Sequence, residues 1–141
     1  MPRLEPPVVA LAEPFWEATK NRQLCLQHCA ECDHFVWYPR DRCPSCLRDS
    51  LSWTPAAGTG TVYSFNVMRK PGNPLMADQV PYVIALVDLD EGVRMTTNIV
   101  GCEPEEVHCD QRVTVDWSVE LTDGRLLPVF KPVADLTRPA D

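Results

Sequence analysis

The sequence predicts a mainly β protein in which an N-terminal helix and a cysteine-rich ribbon precede a five-stranded barrel of the OB type. Two close pairs of cysteines predict the ribbon, and alternating apolar segments separated by turn residues predict the barrel. The 14 prolines among 141 residues favour many short elements over long helices. We expect residues 1–50 to form the arm, helix and ribbon, and residues 51–141 to form the OB-fold domain.

The chain begins with a proline-rich arm, residues 1–12, and a short helix. The arm lacks periodicity and is either a frayed terminus or an extended segment that lies on a partner. Residues 13–24 predict a helix, because Pro14 suits its first turn and basic side chains fall near its end. A helix of this length must dock to be stable. We expect its apolar patch, Phe15 and Trp16, to face either the chain's own ribbon or a partner.

Two CxxC pairs separated by ten residues predict a metal site. Each pair can close a tight turn that points both sulfurs at one ion, and two facing turns give a tetrahedral set of four thiolates. The spacer contains the strand-forming residues 35–38, which fit a short hairpin. We predict one structural Zn²⁺, with rubredoxin-like iron as the alternative, because iron uses the same ligands. The predicted ligands are Cys29, Cys32, Cys43 and Cys46.

The residues that follow the two cysteine pairs differ from the glycine that often occupies this position. Asp33 tolerates the left-handed conformation there, but Leu47 does not adopt it easily. We therefore expect the second turn to be less regular than the first. His28 and His34 flank the first pair, and we expect both on the surface because four thiolates complete the coordination shell.

The second half of the chain carries five strand segments. Turn residues 90–92 separate two of them and predict a hairpin. Strict alternation over 113–120 predicts a half-buried strand with Trp117 on the inner face. Prolines restrict the last segment to an edge or a bulged path. The segments are residues 58–70, 82–89, 93–100, 113–120 and 126–133, and an SH3-like barrel fits their number nearly as well as an OB barrel.

Groups that could carry catalysis are sparse. His108 and Cys109 are adjacent, and neighbouring residues on a strand point to opposite faces, which argues against a dyad. Asp88, Asp90 and Glu91 are spaced too closely for a calcium loop and fit a hairpin tip. The sequence has no phosphate-binding glycine loop and no nucleophile elbow. We therefore expect a chain that is not an enzyme on its own.

The charge distribution bears on the partners. The formal net charge is −7, and residues 51–141 carry thirteen acidic against seven basic side chains. Such a barrel repels a phosphate backbone, so nucleic-acid binding is the alternative function and not the expected one. Tyr63 and Phe65 could stack on bases, but they alternate along a strand and are expected in the core. The lack of a basic, apolar leader and of a long apolar run predicts a cytoplasmic protein that does not bind membranes.

These residues together resemble a known family, the acyl-CoA-associated OB-fold proteins with an N-terminal rubredoxin-like zinc ribbon. The resemblance covers residues 15–133 and departs from the family pattern at Leu47, where glycine is common. It is carried, in order, by a helix with Phe-Trp, the pairs CxxC and CPxC, and the blocks GTGTVYSFNVMRKP, PYVIALVDLDEGVRMTTNIVG and LTDGRLLPVFKPV.

The resemblance implies a non-catalytic subunit that binds a thiolase-fold enzyme, either an acyltransferase or a lipid-transfer-type aldolase of steroid side-chain breakdown. It also implies a role in holding or channelling CoA thioesters, and a hotdog-fold hydratase as a further partner. No motif marks the residues that contact CoA, but its phosphates favour arginine and lysine. The candidates are the basic pairs in range of the ribbon–barrel cleft, Arg40 with Arg42 and Arg69 with Lys70.

The expected contact with the partner enzyme is apolar and rich in proline. Stable interfaces draw on aromatic anchors, which the arm, the helix and the last strand could supply. The candidate contact residues are Pro6, Pro7, Phe15, Trp16 and Phe130.

Overall fold

The computed structural model of the protein describes residues 5–133, which form mainly β-strands. The outer ends of the two expected modules, residues 1–4 and 134–141, lie outside the described residues. Within residues 5–133, no helix is long and apolar enough to cross a membrane.

The N-terminal helix begins as predicted and ends earlier. A 3-10 turn, Ala10–Ala12, leads into helix α1, Glu13–Lys20. Arg22 then takes a left-handed φ of 59°, and the Gln23 N–H donates to the carbonyl of Ala18 at 3.0 Å. This hydrogen bond closes the helix in the manner of a Schellman motif, so the predicted extension to residue 24 is wrong.

Three antiparallel strands form the ribbon sheet. The central strand β1, Cys25–Cys29, pairs with β2, His34–Val36, on one side and with β3, Leu51–Pro55, on the other. The sheet therefore continues beyond residue 50, where we expected the second module to begin. The β1 segment was not predicted as a strand, because Gln and His interrupt its apolar pattern.

Five strands close the barrel in the order β4-β5-β6-β8-β7, with β4 also paired to β7. The first, second, third, fifth and fourth strands of the barrel are thus successive neighbours, which is the OB arrangement and confirms the predicted fold class. Two 3-10 turns, Pro74–Met76 and Pro104–Glu106, lie in the connections. The strands are β4, Thr59–Met68, β5, Tyr82–Leu89, β6, Arg94–Ile99, β7, Arg112–Glu120, and β8, Leu126–Pro132.

One apolar core joins the helix, the ribbon and the barrel. Alternate residues of β5 and β6 point into it, as the sequence pattern predicts. Phe15 and Trp16 of α1 pack against the same cluster and are 4% and 8% exposed, and Phe130 is fully buried. The expectation that these three residues contact a partner is therefore wrong, because helix docking and barrel closure already bury them.

The barrel closes weakly between β6 and β8. These strands run parallel and share a single bridging pair, Ile99 with Phe130. Pro128 has no N–H to extend the ladder, and its carbonyl instead accepts a hydrogen bond from Thr97 Oγ1 at 2.9 Å. We call this weakly paired boundary between β6 and β8 the seam. Its irregular pairing confirms that the prolines restrict the path of the last strand.

Two irregularities redirect aromatic side chains. The pairing register shifts between Val62 and Ser64, and Tyr63 is consequently exposed beneath the guanidinium of Arg94, 3.5 Å from the ring centre. The predicted core position of Tyr63 is therefore wrong, whereas Phe65 packs against the core. A second shift in β7 leaves Trp117 half-buried and not fully inside.

Candidate metal centre and adjoining clefts

The four predicted cysteines converge at one end of the ribbon. Their sulfur atoms all lie within 4.8 Å of one another. The sulfurs of Cys29 and Cys46 are 3.7 Å apart, and those of Cys32 and Cys43 are 3.8 Å apart. Thiolates about 2.3 Å from a tetrahedral ion are separated by roughly 3.8 Å, so these two separations match one four-coordinate ion.

Both cysteine pairs form the same type of backbone turn. The Asp33 N–H donates to the carbonyl of Cys29, and the Leu47 N–H donates to that of Cys43, each at 2.8 Å. Asp33 and Leu47 both adopt left-handed φ values, 56° and 63°. The expected irregularity of the second turn is therefore wrong, because the hydrogen bond imposes the conformation on Leu47 at a cost of about 1–2 kcal/mol.

Backbone N–H groups favour the thiolate form of the ligands. The Cys32 N–H points to the sulfur of Cys29, and the Ser45 N–H to that of Cys43, each at 3.4 Å. Hydrogen bonds from the backbone of Cys46 and Ser45 lower the pKa of Cys43 to about 6. Hydrogen bonds among the cysteine sulfurs, that with Cys46 first, instead raise the pKa of Cys32 to about 12, so all four sulfurs become thiolates only when a metal replaces the protons that they share.

The two histidines beside the first pair are tied to local partners. His28 Nε2 lies 3.1 Å from a carboxylate oxygen of Asp33. His34 Nε2 lies 3.5 Å from Ser45 Oγ and 3.9 Å from the sulfur of Cys43. Both imidazoles are half-buried and border the cysteine cluster without completing its set of four sulfurs.

Two neighbouring hollows follow the seam of the barrel. The aromatic cleft, about 190 Å³, lies between α1, the ribbon and the barrel, and its aromatic walls are Phe15, Trp16, Trp37 and Tyr38. The seam groove, about 280 Å³, continues from it between β6 and β8 as far as Tyr82 and Asn98. Both hollows are lined by Thr96, Leu127 and Pro128, so they are neighbours along β6 and β8, and we call the two together the seam path.

The candidate CoA-binding cations do not line either of these two hollows. Arg69 and Lys70 follow Met68, which pairs with Tyr82 at the far end of the seam groove, and Arg69 is 3.2 Å from Glu105. The second pair of candidates lies on the ribbon, in a shallow hollow of about 420 Å³ that also contains Leu11 and Leu47. That pair is Arg40 and Arg42.

The other groups considered for chemistry form no catalytic set. His108 Nδ1 lies 3.0 Å from the carbonyl oxygen of Cys109, not from its thiol, and both residues are exposed. At the β5–β6 hairpin tip, Arg112 holds Asp90 at 2.9 Å. Hydrogen bonds from Arg112 and Thr59 lower the pKa of Asp90 to about 2. The acidic tip is thus neutralised by arginine and matches the predicted structural role.

Comparison with known proteins matches both modules. Residues 16–52 match the family model described as "ChsH2, rubredoxin-like zinc ribbon domain", and residues 53–118 match "ChsH2, C-terminal OB-fold domain". The structure of an "Ltp2-ChsH2(DUF35) aldolase" aligns with a TM-score of 0.80 and 39% identity, over 91% of this chain and 98% of that chain.

Two curated relatives agree with these matches. A "DUF35 domain-containing scaffold protein" of Methanocaldococcus jannaschii is 33% identical, over 77% of this chain and 78% of the relative. A "Probable enoyl-CoA hydratase alpha subunit" of Thermomonospora curvata is 42% identical over 89% of this chain. The chain spans only 39% of the length of that second relative.

Proposed function

Since the chain belongs to the family of DUF35 scaffold proteins, with a ChsH2-type zinc ribbon and OB-fold domain, we propose that it is a non-catalytic accessory subunit of an acyl-CoA-processing complex. Its partner in this proposal is a thiolase-fold enzyme, either an acyltransferase or a lipid-transfer-type aldolase. A hotdog-fold hydratase is a further partner. The observation that carries the proposal is the alignment of nearly the whole chain with the DUF35 part of an aldolase complex.

The non-catalytic role is supported by the side chains themselves. The adjacent histidine and cysteine do not interact through the thiol, and the acidic hairpin tip is paired with arginines. What the chain offers instead is a rigid platform with an apolar path along its seam. Its seven cysteines, an odd number, fit a cytoplasmic location better than an oxidising compartment.

We propose Zn²⁺ as the bound ion. Four sulfur ligands in two equivalent turns form a closed tetrahedral shell, which is typical of structural zinc and leaves no position for a substrate. Elemental analysis should find one zinc per chain. An iron–thiolate protein would be coloured, so absorption in the visible range with one iron per chain would contradict this assignment.

The seam path is the proposed site for the thioester chain of a CoA ligand. Its apolar and aromatic end suits an acyl group, and Arg69 and Lys70 lie beyond its other end, where phosphates could be bound. The charge-reversed pair Arg69→Glu and Lys70→Glu, and separately Arg40→Glu with Arg42→Glu, should be tested for thioester affinity in the assembled complex. Unchanged affinity in both would remove CoA from this subunit and leave a scaffold.

The central test is reconstitution with the partner enzyme. The tagged chain is purified from its native cell, and mass spectrometry identifies the enzymes that accompany it. Alone, the chain should show no turnover of acyl-CoA. With the thiolase-fold enzyme it should form a stable complex and raise the activity or solubility of that enzyme. Recovery of the chain without any thiolase-fold enzyme, or turnover by the pure chain, would contradict the proposal.

A further inference from the structure

Exposed apolar side chains are concentrated on the arm and the ribbon. Among residues 5–133, eight large apolar side chains are exposed, and five of them lie in these two segments although the barrel is longer. A concentration of this kind marks an interaction surface more often than single exposed residues do. We call the surface formed by Val8, Val9, Leu11, Tyr38 and Leu47 the arm–ribbon face.

The arm–ribbon face is held in place by the rest of the chain. The Glu5 carboxylate accepts hydrogen bonds from the Thr122 N–H at 3.0 Å and from its hydroxyl at 2.9 Å. At the other end of the arm, Ala12 is buried in the core. Leu11 and Leu47 line one hollow. The arm is therefore anchored at both ends, and the side chains of Leu11 and Leu47 lie at the same hollow before any partner arrives.

Leu47 is costly to the isolated chain in two ways. Its φ of 63° is unfavourable for a side chain with a Cβ, and the side chain itself is 68% exposed. Contacts within the described residues therefore do little to offset the strain. The cysteine turn accounts for the backbone conformation, so the exposed leucine side chain, and not its φ, is the observation that points to a covering partner.

The charge around the face indicates the chemistry of what covers it. Arg40 and Arg42 border the hollow, with Asp41 between them, and neither arginine has a carboxylate within 4.0 Å among residues 5–133. By contrast, five of the other six arginines of the described chain are ion-paired, Arg22 being the exception, although the formal net charge of the protein is −7. Those five are Arg48, Arg69, Arg94, Arg112 and Arg125.

We propose that the arm–ribbon face docks the thiolase-fold enzyme through an apolar segment of that enzyme flanked by carboxylates. Leu11 and Leu47 receive the apolar segment, and Arg40 and Arg42 pair with the flanking carboxylates. This inference rests on the proposed function and adds the surface through which the subunit binds. It replaces the expected contacts at the buried aromatic residues of α1 and β8.

The first experiment measures the affinity between the chain and the thiolase-fold enzyme that purifies with it. Leu47→Asp, and separately Arg40→Glu with Arg42→Glu, should each weaken binding at least tenfold. The matched controls are Leu75→Asp, an exposed leucine on the barrel, and Lys20→Glu, an exposed cation on α1, which should stay within twofold of the wild type. Leu47→Asn keeps the left-handed turn, so this variant should weaken binding while it stays folded. It therefore distinguishes loss of the contact from loss of the fold. Metal content and thermal melting verify each variant.

Hydrogen–deuterium exchange supplies a second readout on the wild-type protein. In the complex, amides of residues 8–11 and 38–47 should exchange more slowly than in the free chain. Equal protection of this face in free and bound chain, or protection confined to the barrel, would overturn the inference while leaving the proposed partner intact. Wild-type affinity in both the Leu47 and the arginine variants would do the same.

Two other occupants are distinguished by the same variants. If Leu47→Asp turns a dimer of the free chain into a monomer in ultracentrifugation, a second copy covers the face and the inference fails. It also fails for the two arginines if Arg40→Glu with Arg42→Glu lowers the affinity of the complex for octanoyl-CoA without affecting assembly. If the wild-type chain forms no complex at all, the proposed function and this inference fall together.

Discussion

Of the four residues with side chains that take the left-handed conformation usually selected by glycine among residues 5–133, Arg22 and Leu47 are the two that are not aspartates. Arg22 ends helix α1, and Leu47 closes the second cysteine turn. In both places a backbone hydrogen bond can form only if the chain turns left-handed, and that bond is part of a larger structure, the helix end or the metal site. The preference of arginine and leucine for negative φ is therefore overridden where a right-handed conformation would leave a cysteine ligand or a helix carbonyl badly placed.

At the residue scale, replacing Leu47 should stabilise the isolated chain. Leu47→Asn keeps the turn hydrogen bond and relieves part of the strain, because asparagine tolerates the left-handed region. We expect a gain of about 0.5–1 kcal/mol in the free energy of unfolding of the metal-bound chain, measured by urea denaturation. Leu75→Asn, at an exposed site without positive φ, should show no gain. A loss of stability in Leu47→Asn would mean that the leucine side chain packs more than its exposure indicates.

At the scale of elements, the junction of α1 with the barrel fixes the geometry of the aromatic cleft. Thr19 Oγ1 donates to the carbonyl of Trp16 at 2.6 Å and accepts from the Leu126 N–H at 3.4 Å. The buried guanidinium of Arg125 stacks over Trp16, 4.6 Å from the ring centre, and is held by Asp123. The helix is thus attached to the start of β8 by a polar network around an apolar ring.

Truncation of an aromatic side chain should cost more stability in β8 than in the neighbouring strand β7. Phe130 of β8 is fully buried, so Phe130→Ala should cost about 3–5 kcal/mol. Trp117 of β7 lies beside a register shift and is half-buried, so Trp117→Ala should cost no more than about 2 kcal/mol. Denaturant unfolding of both variants at equal metal content makes the comparison. An equal loss would show that the register shift does not turn Trp117 outward in solution.

The success of sequence reasoning depended on how regular each element is. The hairpin of β5 and β6 was predicted to within a residue because its apolar residues alternate without interruption. Tyr63 was misplaced because a bulge shifts the face of every following side chain, and alternation alone carries no sign of it. The cysteine spacing predicted which sulfurs converge. The clefts could not be predicted, because they are lined by elements far apart in sequence.

At the scale of the whole molecule, ribbon and barrel share one core. Leu24 and Leu26 of the ribbon module pack in the same buried cluster as Val62 and Val113 of the barrel. The expected division at residue 50 is therefore not a division of the hydrophobic core. A boundary between independently folding units remains a prediction for experiment.

Removal of the metal should destabilise the complete described fold and not the ribbon alone. Chelation, or Cys46→Ser, releases the two turns, and zinc binding supplies much of the folding free energy of small ribbon modules. We expect a loss above about 3 kcal/mol, with tryptophan fluorescence and far-UV circular dichroism changing in one transition. A metal-free chain that keeps a cooperative fold of unchanged stability would contradict this prediction.

The single bridging pair at the seam has a consequence for the order in which the barrel forms. Strands β4, β5 and β6 follow one another in the chain and pair in that order, whereas β6 and β8 meet only after β7 has been placed. Interactions made after the transition state influence how fast a protein unfolds and leave its folding rate nearly unchanged. Thr97→Val, which removes one of the hydrogen bonds across the seam, should therefore speed unfolding about 5- to 30-fold, as expected for 1–2 kcal/mol, without slowing folding. Val87→Ala, in the middle of β5, should slow folding instead. Stopped-flow folding and unfolding rates of the two variants would then identify the seam as the last part of the barrel to close and the first to open.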